Sequence, residues 1–401
     1  MSSLTELPAG QEKAEGPNWW NRVNYIPLII LAVLSVAALI AGITVDRLVL
    51  RAQNAPASVE RADVPGDALS ELCRPPVAAP ASEPWFTKDP AALAIWDAHA
   101  DELAKDYIIG PNGWIFWSDY VEQYASQAIG KAFLSVGEIN RWVSYYTSIR
   151  DGLAAEGIEF YIIVTPSTSS VYPEELPVWM NEIRGSTILD QFMAGATDLP
   201  VIDLRAGLIS EAATSQYNLF SWSNSHWTEF GGYVGWQQIA PCVNAMFPDQ
   251  PPLQVPPLEG VEVVGDFNEW ASYGVESPGA DWAVPILGGD FEDVTLTDKD
   301  GKTSVLPGDS VLDASLLPAQ TSVAESWTGK SALILRDSMG GALSPFWAQA
   351  YTKTWQIYHQ YAGFETFPNY RELVAEHHPD VVVLQLAERH LINVPPLGAG
   401  Y

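Results

Sequence analysis

Two short stretches of the chain hold the residue types of nucleophilic catalysis. The first is Arg336-Asp337-Ser338, which follows the apolar run 331–335 and precedes a segment of small and apolar residues. A serine hydroxyl is a poor nucleophile without a positioned base, and His226, in the second stretch, is the best candidate for that base. A buried strand that runs into a sharp turn and a helix would place Ser338 at the carboxyl edge of a sheet, where open α/β folds keep their sites.

The neighbours of His226 favour a catalytic histidine over a structural one, which is the alternative. Asn224 lies two positions earlier, so both side chains can point the same way in an extended loop. The amide would then hold one imidazole nitrogen and leave the other to face Ser338. Thr228 and the glycines that follow predict the start of a helix, which would fix the loop.

A second serine lies in a nucleophile-like string, Gly308-Asp309-Ser310. Its surroundings do not suit a nucleophile, because the string follows Pro307 and has neither a buried strand before it nor a helix behind it. The pattern therefore predicts a surface turn at this point.

Four histidines near the end of the chain have no spacing typical of metal ligands. They are His359, His377, His378 and His390. The adjacent pair stands just before Pro379, which is typical of a helix end, where histidine is favoured. The sequence therefore predicts no metal site and no cofactor.

The charge of the chain limits its ligands. The formal net charge is −29 over 401 residues, with 47% hydrophobic and 17% charged residues. This composition indicates a globular body, and the charge excludes nucleic acid, since no basic surface is available to displace counterions from phosphates. The simplest explanation of the acidity is a heavily hydrated protein surface.

The chain divides into an N-terminal membrane region and a folded body. Residues 1–25 form a short polar tail, and residues 26–45 form an uncharged apolar run long enough to cross a bilayer. We predict one uncleaved transmembrane helix there, followed by an Ala- and Pro-rich tether over 46–83 and a body over 84–401. Basic residues flank the span equally and do not set its orientation, but the short head and long body favour a body outside the cytoplasm.

Strand and helix patterns alternate through the body, which predicts an α/β fold with a doubly wound, mostly parallel sheet. Residues 248–330 differ, since they are rich in Pro, Gly and Asp, and we expect a β-rich insertion there. Strands are predicted at 114–117, 158–164, 200–204, 331–335, 354–358 and 381–386, and helices at 89–106, 135–156, 228–247, 342–353 and 370–377.

Cys73 and Cys242 are the two cysteines of the chain. In an oxidising compartment one long-range disulfide is plausible, and two separate buried thiols are the alternative.

Six motifs together resemble the SGNH hydrolase-like proteins of alginate and exopolysaccharide O-acetylation, and the likeness extends over about residues 85–391. The ordered set is NGWIFW at 112–117, VTPSTSSVYPEELP at 164–177, IDLR at 202–205, SHWTEFGG at 225–232, RDSMGG at 336–341 and LAERHL at 386–391. The resemblance implies an SGNH hydrolase-like fold, and it favours the disulfide between Cys73 and Cys242.

The resemblance also implies roles for single residues. Ser338 matches the nucleophile, His226 the base, and Asn224 the position of the family's aspartate. Arg336 stands where a glycine is usual, and Thr168 where a lysine is frequent.

The asparagine leaves three alternatives. The chain could be a slower enzyme, or it could have lost catalysis. In the third alternative another residue supplies the carboxylate that supports His226, and Asp337 and Glu229 are the candidates. Arg336 and Asp337 are further candidates for supporting the nucleophile.

The implied activity is that of a membrane-anchored, extracytoplasmic O-acetyltransferase that carries acetyl on Ser338 to an exopolysaccharide or cell-envelope glycan. The donor would come through a membrane-bound O-acyltransferase. A carbohydrate acetylesterase and a non-catalytic glycan-binding or scaffold subunit are the alternatives. Four aromatic residues are candidates to stack on sugar rings, although most of the 16 Trp residues are expected in the core. They are Trp222, Trp227, Trp347 and Tyr172.

Overall fold

The fold is built on a sheet of strongly apolar strands, and the computed structural model describes it over residues 68–77, 90–359 and 367–401. The strands are β1 Tyr107–Ile109, β2 Ile115–Trp117, β3 Glu159–Thr165, β4 Val201–Asp203, β5 Leu258–Val263, β6 Ala283–Leu287, β7 Val294–Thr297, β8 Thr303–Leu306, β9 Ala319–Ser322, β10 Ser331–Arg336, β11 Lys353–Tyr358 and β12 Val381–Ala387.

The helices connect and cover these strands. They are α1 Ala68–Cys73, α2 Pro90–Ala98, α3 Ala100–Leu103, α4 Tyr124–Ala128, α5 Val136–Ala155, α6 Thr168–Val171, α7 Val178–Glu182, α8 Ile188–Gly195, α9 Arg205–Ala212, α10 Glu229–Met246, α11 Ser344–Ala350 and α12 Tyr370–His377. Short 3₁₀ turns cover Pro173–Glu175, Glu269–Tyr273, Ala314–Leu316, Met339–Leu343 and Glu388–Ile392.

The main sheet has eight strands in the order β4-β3-β12-β10-β11-β9-β7-β8. The first five are parallel, whereas β9, β7 and β8 are added antiparallel at one edge. The predicted mostly parallel sheet is therefore corrected to a mixed sheet. Strands β3, β10 and β12 are buried along almost their whole length, as expected for parallel strands covered on both faces.

Both faces of this sheet carry a core, which confirms the predicted α/β layering. Successive side chains of a strand point to opposite faces. Tyr161 and Ile163 of β3 accordingly belong to one apolar cluster, and Phe160 and Ile162 to the other. Helices α10 and α11 pack on the first face, and α5, α8 and α12 pack on the second.

The region 248–330 is β-rich, as predicted, but it is more than an insertion. Strands β5 and β6 form a separate two-stranded sheet, while β7, β8 and β9 complete the edge of the main sheet. The correction has a physical reason: β9 pairs with β11 over Ala319–Ser322, and this pairing satisfies backbone groups that would otherwise lie at an open edge.

Local capping signals set several helix starts correctly. Ser135 and Glu138 form the predicted capping box of α5, and the Thr228 hydroxyl accepts a hydrogen bond from the Gly231 N–H at the start of α10. The helix predicted over 89–106 is instead interrupted at His99, which separates α2 from α3.

Cys73 of α1 is disulfide-bonded to Cys242 of α10, with the two Cα atoms 5.1 Å apart, which confirms the first of the two alternatives. The bond joins residues 169 positions apart. It therefore ties the N-terminal side of the body to the helix that starts beside His226.

The predicted tail 1–25 and transmembrane segment 26–45 lie outside the described residues, as does most of the tether 46–83. Within the ranges given above, every helix is too short or too polar to cross a bilayer.

Candidate active site

Ser338 and His226 are brought together by two different parts of the chain. Strand β10 ends at Arg336, and Ser338 is the residue before the 3₁₀ turn Met339–Leu343. His226 lies in the loop that leads into α10. The indole N–H of Trp227 donates a 2.7 Å hydrogen bond to the Met339 carbonyl, so the histidine loop is fixed directly to the serine turn.

Ser338, His226 and Asn224 form one chain of hydrogen-bonded contacts. The Ser338 Oγ lies 2.8 Å from His226 Nε2, and the Asn224 Oδ1 lies 2.8 Å from His226 Nδ1. This is the arrangement of a nucleophile, a base and an orienting residue.

The hydrogen bonds of Asn224 settle the tautomer of His226. Asn224 Nδ2 donates to the Phe267 carbonyl at 2.7 Å, and Oδ1 accepts the His226 backbone N–H at 3.0 Å. The amide oxygen therefore faces Nδ1, so Nδ1 carries the proton. Nε2 is left with a lone pair that faces the hydroxyl of Ser338.

The carboxylate nearest to His226 belongs to Glu269, a residue that sequence reasoning missed. Its Oε2 is 3.8 Å from His226 Nδ1, and the side chains of His226 and Glu269 are 28% and 21% exposed. The backbone N–H of Ser225 donates to Glu269 Oε1 at 2.7 Å, which fixes the carboxylate in place. The two residues are 43 positions apart, and the sequence shows only that Asn268-Glu269 could start a helical turn.

The two carboxylates predicted for this role, Asp337 and Glu229, are engaged elsewhere. Asp337 lies behind the serine turn and bonds to backbone N–H groups and His359. Glu229 lines the cavity in front of Ser338, and its carboxylate accepts a hydrogen bond from Trp282.

Electrostatics keep His226 neutral at physiological pH. Withdrawal from water, with a smaller contribution from the charge of Arg389, lowers the pKa of His226 to about 4, although Asp337 and Asp313 oppose this shift. A neutral imidazole can accept a proton from Ser338. Burial also raises the pKa of Glu269, an effect that the hydrogen bonds from Ser225 oppose.

Asp337 anchors the turn that carries Ser338. Its carboxylate accepts the backbone N–H groups of Met339 at 2.9 Å and Ala387 at 2.6 Å. Burial would raise the pKa of Asp337, but the hydrogen bond and charge of His359, together with other nearby cationic groups, hold it well below its usual range. Asp337 is therefore an anionic support for the turn.

Arg336 supports the same turn from within the core. The guanidinium is fully buried and donates to Gln356 Oε1, to the Leu312 carbonyl and to the Asp337 carbonyl. A Cβ placed on Gly340 would lie 2.7 Å from the Arg336 side chain, so the glycine makes room for the arginine.

Asp337, His359 and His390 converge in the core, although their spacing in sequence gave no sign of it. Their ligand atoms all lie within 4.8 Å of one another, and all three residues are buried. His390 Nδ1 is 2.9 Å from Glu122 Oε1, and its Nε2 is 3.4 Å from Asp337 Oδ2. This donor set could hold a metal ion such as Zn²⁺, and it also forms a chain of charge-compensated contacts behind the serine turn.

A cavity of about 360 Å³ opens in front of Ser338. Its lining includes His226, Trp227, Phe267, Trp282 and Asp313. The rings of Phe267 and Trp282 meet edge to face with centroids 4.9 Å apart. Neither aromatic was predicted, since both come from the 248–330 region, far in sequence from the motifs.

Three of the four predicted sugar-stacking residues do not line this cavity. Trp347 is fully buried in the core, and the Tyr172 hydroxyl accepts the Leu219 backbone N–H. Trp222 is fixed outside the cavity by a hydrogen bond from its indole to the Gly279 carbonyl. Trp227 does line the cavity, but it is only 2% exposed.

The string Gly308-Asp309-Ser310 is a turn at the surface, as predicted. The backbone N–H of Ser310 donates to the Pro307 carbonyl at 3.0 Å, and Asp309 is exposed.

Comparison with known proteins agrees with the predicted resemblance. Residues 107–282 match the family model described as the SGNH hydrolase-like domain of acetyltransferase AlgX. This stretch includes Asn224, His226 and Glu269, and it ends before Ser338. No curated protein sequence matches the chain.

Among the solved structures that match this chain, PatB1 shows similarity of fold, and two acetylation proteins match with TM-scores below 0.5. PatB1 of Bacillus cereus is 14% identical with a TM-score of 0.52, over 71% of this chain and 97% of PatB1. The O-acetyltransferase domain of Pseudomonas putida AlgJ is 17% identical with a TM-score of 0.40, over 74% of this chain and 95% of that domain. AlgX of Pseudomonas aeruginosa is 14% identical with a TM-score of 0.39, over 73% and 68% of the two chains.

Proposed function

We propose that this chain, with its match to an SGNH hydrolase-like acetyltransferase family, is an O-acetyltransferase that carries acetyl on Ser338 to a glycan hydroxyl. The observation that carries the proposal is the 2.8 Å contact between Ser338 Oγ and the unprotonated Nε2 of His226. A buried structural histidine would have no reason to present a lone pair to a half-buried serine at the edge of a sheet.

In the first step Ser338 Oγ attacks the acetyl carbonyl, and its proton moves to His226 Nε2. The bond from the acetyl carbon to the donor oxygen then breaks, and His226 returns the proton to the leaving group. In the second step a sugar hydroxyl gives its proton to His226 as it attacks acetyl-Ser338. Cleavage of the serine ester restores the hydroxyl of Ser338.

Backbone N–H groups around Ser338 are suited to stabilise the oxyanion of both steps. The N–H of Met339 is bonded to the Asp337 carboxylate, and that of Gly341 to the Ser338 carbonyl. The turn that begins at Ser338 lines the cavity, and we propose that its remaining backbone N–H groups hold the oxyanion.

Asn224 and Glu269 divide the task that a single aspartate performs in a serine triad. Asn224 fixes the tautomer through its 2.8 Å contact with Nδ1, and Glu269 supplies negative charge 3.8 Å from the same nitrogen. The imidazolium that forms during each step is then stabilised without an aspartate at position 224.

The proposed location rests on the apolar run in the sequence of the N-terminal region. We propose that residues 26–45 anchor the chain and that the body lies outside the cytoplasm, where the disulfide of Cys73 persists. A membrane-bound O-acyltransferase would then deliver the acetyl donor to the anchored body.

Mass spectrometry after incubation with p-nitrophenyl acetate tests the acyl-enzyme. We expect acetyl on the peptide that contains Ser338, and none in a Ser338→Ala variant. The matched control is the Ser310→Ala variant, which should leave the acetylation of Ser338 unchanged. Failure to acetylate Ser338 with any activated ester would contradict the proposal and favour a non-catalytic glycan-binding subunit.

An acetylesterase is the second candidate, because the 28% exposure of the His226 side chain lets water reach the base. Release of p-nitrophenol should rise when an oligosaccharide is added, and acetylated sugar should form. Turnover that is independent of any sugar, with acetate as the sole product, identifies an esterase instead.

A further inference from the structure

We propose that the acceptor is a glycan without carboxylate groups, neutral or amino-substituted, that binds across Phe267 and Trp282. This inference rests on the proposed function, since it names the class of acceptor for the same site. It excludes polyuronates, whose sugars each carry a negative charge.

The charges around the cavity are the first support. Among the described residues that line it, the charged side chains are the carboxylates Glu229 and Asp313, together with His226, which is neutral at physiological pH. Glu269 adds a third carboxylate beside His226. Hydrogen bonds from Ser315 lower the pKa of Asp313, so this residue is anionic at neutral pH.

Two basic residues act electrostatically on the site: Arg389 on His226 and Arg336 on Asp313. Arg336 is fully buried and donates to Gln356 Oε1 and to the Leu312 carbonyl. The charge of Arg389 is compensated. The Arg389 Nε lies 3.3 Å from Glu122 Oε2, at 14% exposure. Among the described residues that line the cavity, a uronate carboxylate would therefore meet carboxylates and no cationic side chain.

The aromatic residues provide the second support. Phe267 lines the cavity and is 51% exposed, so its ring is accessible to a ligand. Trp282 is half-buried beside it and is held by its hydrogen bond to Glu229. Together they offer apolar ring surface to the faces of a sugar, while Glu229 and Asp313 can accept hydrogen bonds from hydroxyl or amino groups.

The charge of the whole chain acts in the same direction. With a net charge of −29, long-range forces slow the approach of an anionic polymer and do not hinder a neutral one. An amino-substituted glycan is drawn towards the protein.

The test compares three acceptors of equal length, with p-nitrophenyl acetate as the donor for the full chain in detergent. They are a neutral gluco-oligosaccharide, a glucosamine oligosaccharide and an oligouronate. We expect acetylated product from the first two and at least about tenfold less from the oligouronate at low salt. The difference should shrink at about 1 M salt, where the Debye length is about 3 Å.

Two variants sharpen the comparison. Asp313→Asn combined with Glu229→Gln should raise oligouronate acetylation relative to the neutral acceptor. Asp300→Asn, which neutralises an exposed acid in a distant turn, should leave the ratio unchanged.

Mass spectrometry of Ser338 without an acceptor separates the proposed acyl-enzyme from the proposed class of acceptor. If it forms and the oligouronate is acetylated as well as the neutral sugar, the acceptor inference is overturned while the acyl-enzyme stands. If it forms and only water accepts the acetyl group, the acceptor inference also fails. If it never forms, the proposed function itself fails.

Discussion

The side chain of Asn224 shows why an amide, and not a carboxylate, stands at this position. Its Nδ2 donates to the Phe267 carbonyl at 2.7 Å, and a carboxylate oxygen there would face another oxygen at the same distance. The loop around Phe267 therefore requires a hydrogen-bond donor at residue 224. The negative charge is supplied one step away by Glu269.

The variant Glu269→Gln removes the negative charge beside His226 and tests whether that charge supports the base. At 3.8 Å and partial exposure, we expect the charge to be worth about 1 to 2 kcal/mol, or roughly a tenfold loss in the acylation rate. Burst kinetics with p-nitrophenyl acetate measure this rate. Glu376→Gln is the control, because the Glu376 side chain is 70% exposed. An unchanged rate would show that Glu269 has no electrostatic role.

The pH dependence of acylation follows from His226. The base acts in its neutral form, so activity should stay level at neutral pH and fall only as the pH drops through a pKa of about 4. Removal of the anionic neighbour in Glu269→Gln lowers the pKa of His226 further, so this acid limb should move to lower pH. A limb near pH 6.5 in the unmodified protein would show that His226 is more hydrated than the structure indicates.

Asn224→Asp should not restore an ordinary triad. Loss of the solvent-exposed hydrogen bond to Phe267 and the new oxygen–oxygen contact should lower the free energy of unfolding by about 1 kcal/mol. The added carboxylate should also raise the pKa of His226 and move the acid limb of acylation to higher pH. Urea unfolding and the pH–rate profile measure the two effects, and a more stable variant would contradict the argument from the Phe267 carbonyl.

At the scale of elements, the site lies where β10 ends and α10 begins. Both could be predicted, because the signals are local: an uninterrupted apolar run up to Arg336, and a capping threonine at Thr228. The contribution of residues 248–330 could not be predicted. Strand β9 joins the main sheet by pairing with β11, and Glu269 contacts His226 from 43 positions away in sequence. Neither long-range contact produces a periodic pattern in the sequence.

The disulfide should stabilise α10 without taking part in the chemistry. Cys242 lies 13 residues after the start of α10, which is about 20 Å along the helix. For the double variant Cys73→Ser/Cys242→Ser we expect a free energy of unfolding lower by about 2 to 5 kcal/mol, since the closed loop is long. The acylation rate of the folded fraction should be retained, and its loss would place the disulfide in the catalytic geometry.

At the scale of the whole molecule, the sequence predicts an anchored body outside the cytoplasm. Fractionation should recover the full chain with membranes, and protease added to the outer side should digest the body. A chain that starts at residue 46 should be released from the membrane with its acylation rate unchanged. Recovery of the full chain in the aqueous fraction would contradict the anchor, and protection from protease would contradict the orientation.

The side chain and the backbone carbonyl of Phe267 have different neighbours. Phe267 lines the cavity, and its carbonyl accepts a hydrogen bond from the amide of Asn224. In the proposed complex, one residue therefore contacts the acceptor through its ring and holds the amide that orients His226 through its carbonyl. A change in the backbone at residue 267 should therefore alter acceptor binding and the alignment of His226 together.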